Sequence, residues 1–354
     1  MLGTSLGIQS LRWLSEFLID LSDYYSISMQ KVDFPIDAVI AWVDGNDPVH
    51  KAKRYKYAGV KELTNDEVGG DIRFTNVGEI SYCVASLLRF APFLRKIFIV
   101  TDSQNPNITE FIDKYFPDRT TEIVLVDHKD IYAGYESCLP IFNSLSIETM
   151  LWRIPDLSEH YIYLNDDFFI VSPVTVNDFY RDGKAVCYAE PFSVPFARLI
   201  RAIKPRRKGY KIFGFKDSML NAAYYLGENR SFPYIGHIPL AMKKSLQEKF
   251  YAENPDLMKA NMSPRFREPH QFNPQALYYM LGLRHGDCVM LPRKGVDLYL
   301  KPKPKKNYVT RKLESFDASK KALFCCFNSL DYASKEDQEL VFNWLDNRLS
   351  LGKI

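Results

Sequence analysis

Four short apolar runs punctuate the first half of the chain, spaced widely enough for a helix between most of them. Residues 36–43 (Ile-Asp-Ala-Val-Ile-Ala-Trp-Val), 96–102, 122–127 and 161–164 each read as a buried strand, rich in β-branched and aromatic residues. Residues 80–90, 111–115 and 147–154 carry apolar side chains at helical spacing, and Ala91-Pro92 closes the first of these helices. Strand and helix alternate, which predicts an α/β fold: a Rossmann-like, mostly parallel sheet. Such sheets bind ligands beyond the carboxyl ends of their strands, where Asp44, Asp102, Asp127 and Asn165-Asp166-Asp167 stand.

Outside this core the pattern changes. Residues 8–22 place Ile8, Leu11, Leu14, Phe17, Leu18 and Leu21 on one helical face, so residues 1–33 are expected as an N-terminal amphipathic helix that docks on the body or on a membrane. Residues 34–180 form the expected ligand-binding α/β core. From residue 172 the alternation weakens into proline-rich, aromatic and basic sequence, so residues 181–354 are expected as helices and loops covering the crevice and completing the active site. Residues 337–349 read as a C-terminal packing helix, with Leu340, Trp344 and Leu345 on one face.

Composition narrows the function. The 354 residues carry a net charge of only +3, so the chain as a whole is not expected to bind nucleic acid, whose affinity rests on many phosphate contacts. Basic residues are local, in runs at 201–211 and 301–312 that suit an anionic acceptor, a pyrophosphate, a membrane surface or plain solvent. Six cysteines without a CxxC pair suit reduced, buried thiols. Acids at 16, 20 and 23 interrupt any secretory signal, and no window is apolar enough to span a bilayer, so a cytoplasmic protein, with at most peripheral membrane contact, is expected.

The candidate chemistry sits on the strand ends. Tyr163-Leu164-Asn165-Asp166-Asp167-Phe168-Phe169 sets two adjacent acids between apolar flanks, a costly arrangement unless something neutralises them. Mg²⁺ or Mn²⁺ would do so, because hard cations take carboxylate oxygens and keep substrate phosphates as further ligands. A solvated turn is the alternative. In Asp44-Gly45-Asn46-Asp47, glycine permits a tight turn near a ligand and the acids suit nucleoside hydroxyls or a second metal. His237, in Ile-Gly-His-Ile-Pro, is a candidate general base, and Arg265-Phe-Arg267 offers fork-shaped donors for phosphate.

Taken in order, these strings resemble the Stealth family, which includes bacterial capsule and cell-surface polysaccharide phosphotransferases and the catalytic subunit of lysosomal-enzyme N-acetylglucosamine-1-phosphotransferase. The resemblance covers about residues 36–345 and rests on the block from Ile36 through Trp42-Val43-Asp44-Gly45 to Pro48, a long block from Phe74 to Asp167, Gly236-His237 through Arg267, and a looser block near 324–345. It implies a glycosyltransferase-A-like sheet and transfer of a sugar 1-phosphate from a UDP-sugar to a hydroxyl of a glycan or lipid-linked glycan, releasing UMP. It further implies Asp166 and Asp167 as metal ligands, His237, Arg267 and Asp167 as catalytic residues, and a donor-binding set of Asp44, Gly45, Asp47, Arg73, Asn76, Glu79, Asp102, Asn143, Glu148 and Asn165. Ser81 and Ala85 replace two arginines frequent in the family, and Met150 and Trp152 stand where histidines are frequent, which points to an altered substrate. A metal-dependent glycosyltransferase releasing UDP, and a non-catalytic glycan-binding relative, are the competing readings.

Overall fold

The structure is a computed structural model, described for residues 34–59, 77–203, 206–207, 210–211 and 213–352. The expected N-terminal helix therefore lies outside the described residues, as do Arg73 and Asn76.

The predicted strands form one sheet. Strand β1 (Ile36–Ala41) pairs in parallel with β2 (Leu94–Thr101) on one side and β4 (His160–Asn165) on the other, and β2 pairs in parallel with β3 (Glu122–Asp127). Strand β8 (Leu240–Lys243) joins β4 antiparallel at the edge, giving the order β8-β4-β1-β2-β3. Every residue of β1 except Ala41 is buried, as expected of a central strand covered on both faces. Even Asp37 is buried there, because Arg95 pairs with it at 2.8 Å and the Ser158 amide donates to it at 2.7 Å.

Helices α1 (Pro48–Ala58), α2 (Glu79–Phe90), α3 (Thr109–Tyr115) and α4 (Ser144–Met150) fill the connections. Local chemistry fixes their starts. Asp47 accepts from the amides of Val49 and His50 with Pro48 in the first turn, and Asn143 accepts from the Leu145 amide. Going from β1 the chain builds outward to β2 and β3, whereas β4 lies on the other flank. The switch point is thus between β1 and β4, and ligands of open α/β sheets bind beyond the strand ends there.

The second half differs from the expected helices and loops, because it also holds strands. Strand β6 (Lys184–Ser193) pairs antiparallel with β7 (Ser231–Ile235) and parallel with β9 (Cys288–Leu291). A third sheet joins β5 (Phe168–Ile170), β11 (Phe324–Phe327) and β10 (Asp297–Leu300). These strands are short or proline-interrupted and their partners lie far along the chain, so no local period marks them. β8 also carries the second half into the central sheet across the expected boundary at residue 180. The helices here are α5 (Val194–Ile203), α6 (Phe215–Tyr225), α7 (Lys244–Glu253), α8 (Pro255–Met262), α9 (Pro274–His285), α10 (Tyr308–Asp317) and α11 (Lys335–Arg348). All six cysteines are free thiols, five of them buried. Among the described residues no helix is long and apolar enough to cross a membrane.

Candidate active site

A crevice of about 580 Å³ opens at the switch point. β1 ends at Ala41 and β4 at Asn165, which are register partners, so Trp42-Val43 and Asp166-Asp167 emerge side by side. Asp166-Asp167 is the two-residue turn between β4 and β5, and therefore links the central sheet to the third sheet. The third sheet holds that turn: the Phe327 amide donates to the Asp167 carbonyl at 3.2 Å, and the Cys326 thiol and Asn328 amide donate to Asp167 Oδ2 at 3.5 and 3.4 Å.

Three acids share one wall. Asp166 and Asp167 open onto the crevice, and Glu79, at the start of α2, is buried beside them. Burial first, and then the charge of Asp167, pushes the Asp166 carboxyl up to about 7. Burial also raises Asp167, to about 6, against the bonds from Cys326 and Asn328. Glu79 is held well above the usual carboxylate range by burial and by both aspartates. Like charges crowded together in a half-buried crevice hold protons unless a cation replaces them. That donor chemistry fits a hard divalent ion, for which Asp166 and Asp167 would be the ligands, with Glu79 behind them. Among the described residues no three His, Cys, Asp or Glu side chains are arranged as a ready-made cage, so substrate or water oxygens would have to complete the shell.

The rest of the lining includes aromatic and basic groups. His237 follows β7 and packs among the rings of Phe215, Tyr299 and Phe168, at centroid separations of 4.8, 5.5 and 6.0 Å. Burial, then Arg293 and Lys301, push its imidazole down to about 4, so at neutral pH it is uncharged and able to accept a proton. Arg267 Nη2 donates to the Ser144 hydroxyl at 2.8 Å, and its charge opposes the upward push of burial on Glu148. The Tyr163 hydroxyl lies 3.1 Å from Glu148 Oε1 and 2.6 Å from Asn165 Oδ1. One phenolic proton serves only one of these acceptors at a time, and burial raises the Glu148 carboxyl above its ordinary value against the pull of Arg267 and of its hydrogen-bond partners.

The structure thus brings Glu79, Asn143, Glu148, Asn165, Asp166, Asp167, His237 and Arg267 to one crevice. Asn143 is committed elsewhere at the same time: its amide donates to Gln271 at 2.7 Å, to Ser146 at 3.0 Å and to the Pro264 carbonyl at 3.2 Å, tying α4 to the Arg267 loop. Asp44, Gly45, Asp47 and Asp102 do not line the crevice. Gln104 donates to the Asp44 carbonyl and to the Asp47 carboxylate, Asp47 caps α1, and Asp102 pairs with Lys53 at 3.0 Å. Those acids build the turn behind Trp42, Val43 and His50, which form the wall instead.

The structure brings Lys301, from the basic run at 301–312, into the lining, and sequence reasoning missed His50, His128, Asn328 and Asp331 there. Burial pushes both His50 and His128 down to about 4, adding two uncharged imidazoles beyond β1 and β3. His128 directly follows a strand, a signal that was available. Asn328 had none, since its place depends on β11 pairing with β5.

Residues 34–59 match conserved region 1 of the Stealth proteins and residues 73–187 match conserved region 2. The exopolysaccharide phosphotransferase cps2G of Lactiplantibacillus plantarum is 31% identical over 254 residues, covering 66% of this chain and 71% of that protein. The chain belongs to the Stealth family. Within that family, the exopolysaccharide phosphotransferase SCO6023 of Streptomyces coelicolor is 33% identical over 265 residues, 73% of this chain. This chain spans only 42% of that protein's length. The matched Stealth regions contain the Asp166-Asp167 turn, whereas His237 and Arg267 lie beyond both. In three dimensions the apo structure of the bifunctional glycosyltransferase WbbM superposes with a TM-score of 0.50 at 10% identity, over 90% of this chain and 50% of that one. The fold is thus that of a glycosyltransferase-A-type sheet.

Proposed function

We propose that this Stealth protein transfers a sugar 1-phosphate from a UDP-sugar to a hydroxyl of a glycan or lipid-linked glycan, in capsule or cell-surface polysaccharide synthesis in the cytoplasm. The observation that carries the reading is the convergence of Asp166, Asp167 and Glu79 with His237 and Arg267 on one crevice. The names of its relatives, polysaccharide phosphotransferases, support the reaction class.

The acceptor oxygen forms a bond to the phosphorus that bears the sugar, and the pyrophosphate bond to UMP breaks. His237, uncharged at neutral pH, takes the hydroxyl proton. Arg267, held by Ser144, opposes the charge on the phosphate oxygens. Mg²⁺ or Mn²⁺, when held by Asp166 and Asp167, supplies neutralisation of the donor diphosphate.

The leaving nucleotide tests the reading. Incubation with a panel of UDP-sugars, a candidate glycan and Mn²⁺ is expected to release UMP with formation of a phosphodiester. Release of UDP instead would identify a sugar-oxygen transfer, to which the fold shared with WbbM lends weight. Absence of turnover in every combination would identify a non-catalytic relative.

A further inference from the structure

Helix α5 is the most one-sided element of the second half. Val194 and Ala197 are buried, while Phe196, Leu199 and Ile203 are 53%, 56% and 72% exposed. At about 100° per residue these three fall within roughly 60° of the helix circumference, so they form one apolar strip facing away from the body. Tyr224 of α6, 71% exposed, extends it: Tyr224, Arg198 and Ala202 line the groove between the two helices.

The charge along the sequence through and after α5 has one sign. From residue 191 to residue 216 there is no Asp or Glu, while eight lysines and arginines fall between 198 and 216. Solvated helices usually mix signs, and a buried interface disfavours such a density of cations. An apolar strip on a stretch of sequence whose charges are all cationic matches a surface of acyl chains beneath anionic headgroups.

We propose that α5 and Tyr224 form a membrane-docking face that seats on an anionic lipid surface, with Phe196, Leu199 and Ile203 in the interface and the cationic sequence from Arg198 onward supplying the attraction to the headgroups. The crevice lies close by. Phe215 and Ser218 at the start of α6 line it, and Tyr224 at the other end belongs to the docking face, about 14 Å away at 1.5 Å per residue. Arg201 of α5 bonds Asn221 at 2.7 Å, and Asn221 donates to the carbonyls of Pro269 and Gln271 in the Arg267 loop, so the docking face and the crevice share a rigid frame. Docking there would hold the crevice near a lipid-borne acceptor, and the docking itself does not depend on the transfer chemistry.

Vesicle co-sedimentation of the full chain tests it. Binding is expected to phosphatidylcholine vesicles containing phosphatidylglycerol, to fall in high salt, and to be absent with phosphatidylcholine alone. The double substitution Leu199→Asp/Ile203→Asp is expected to weaken partitioning at least about tenfold with an unchanged unfolding transition, since both side chains are exposed. Arg198→Glu, on a fully exposed turn of the same helix, is expected to weaken it without touching the apolar strip, and stands alone if the double variant fails to fold. Failure of the unmodified chain to bind anionic vesicles would overturn the proposal. The strip would then be covered by another surface, for which the first 33 residues, apolar on one face and bearing Glu16, Asp20 and Asp23, are the candidate. Equal binding by the unmodified chain and the variants would overturn it as well, by moving the docking to another part of the chain.

Discussion

The Asn328 amide donates to Oδ2 of Asp167 at 3.4 Å, joining two residues 161 positions apart. The contact exists because Asp166-Asp167 turns the chain out of the central sheet and into a small sheet whose middle strand comes from near the C-terminus. A carboxylate expected to bind a metal is therefore aimed by an element far from its own motif. Hydrogen bonds of this kind favour the charged carboxylate and hold down a group that burial pushes up.

Removing that bond gives the first prediction. Asn328→Ala should raise the Asp167 pKa above its present value of about 6, because a bond that favours the carboxylate is lost while the burial remains. The acid limb of the pH–rate profile should move to higher pH and the apparent affinity for Mn²⁺ at pH 6 should fall, by about tenfold for each pKa unit. Unshifted limb and affinity would mean that Asn328 does not govern Asp167.

Acid crowding also makes a prediction about stability. Asp166 and Asp167 bind protons more tightly folded, near 7 and 6, than their ordinary value of 3.8, so the folded state holds the extra protons. Stability of the metal-free protein from these groups is therefore greatest below about pH 4 and declines as pH rises through 6 and 7. Thermal melts should show Tm falling over this window, and millimolar Mg²⁺ or Mn²⁺ should recover it at pH 8 by replacing the protons. In Asp166→Asn both the decline and the rescue should shrink, and an unchanged metal effect would exclude Asp166 as a ligand.

His237 and Arg267 should separate by their kinetic signatures. His237→Ala is expected to lower kcat by about 10²–10⁴-fold with little effect on UDP-sugar binding, the usual worth of a positioned general base. Because its pKa is near 4, no limb near pH 6.5 should disappear with it. Arg267→Ala is expected to cost about 10²–10³-fold and to be only partly restored by Lys, which lacks the planar fork that meets Ser144 and a phosphate together. Full activity of either alanine variant would remove that residue from the chemistry.

How much of this was legible in the sequence depends on how local the cause is. β1 to β4 and their helices were readable because buried parallel strands are continuous apolar runs and their caps are adjacent residues. The Asp166-Asp167 turn was readable because adjacent acids between apolar flanks have few explanations. The second and third sheets were not, since Cys325 and Cys326 pair with Phe169 and Phe168 across more than 150 residues of chain, and nothing near them announces it. The acids at 47 and 102 also show what strand ends conceal: carboxylates there serve as helix caps and ion-pair partners, and Gln104 and Lys53, which bond them, have no sequence signature.

Asn143 decides between two roles that the sequence left together. It matches the donor-binding pattern, yet its side chain caps α4 and donates to Gln271, Ser146 and the Pro264 carbonyl, all inside the protein. If its work is to hold the Arg267 loop against α4, Asn143→Ala removes a cap and the bonds to Gln271 and the Pro264 carbonyl, which keep the Glu268 amide and the Ser146 hydroxyl as donors, a loss of about 1–3 kcal/mol. Tm should then fall by several degrees, and kcat should fall with it as Arg267 loses its seat, while the dissociation constant for UDP-sugar measured by calorimetry well below the transition stays within about threefold. A direct donor contact would give the opposite division, with a weakened dissociation constant and a stable fold, because the substrate would then be the partner the amide loses.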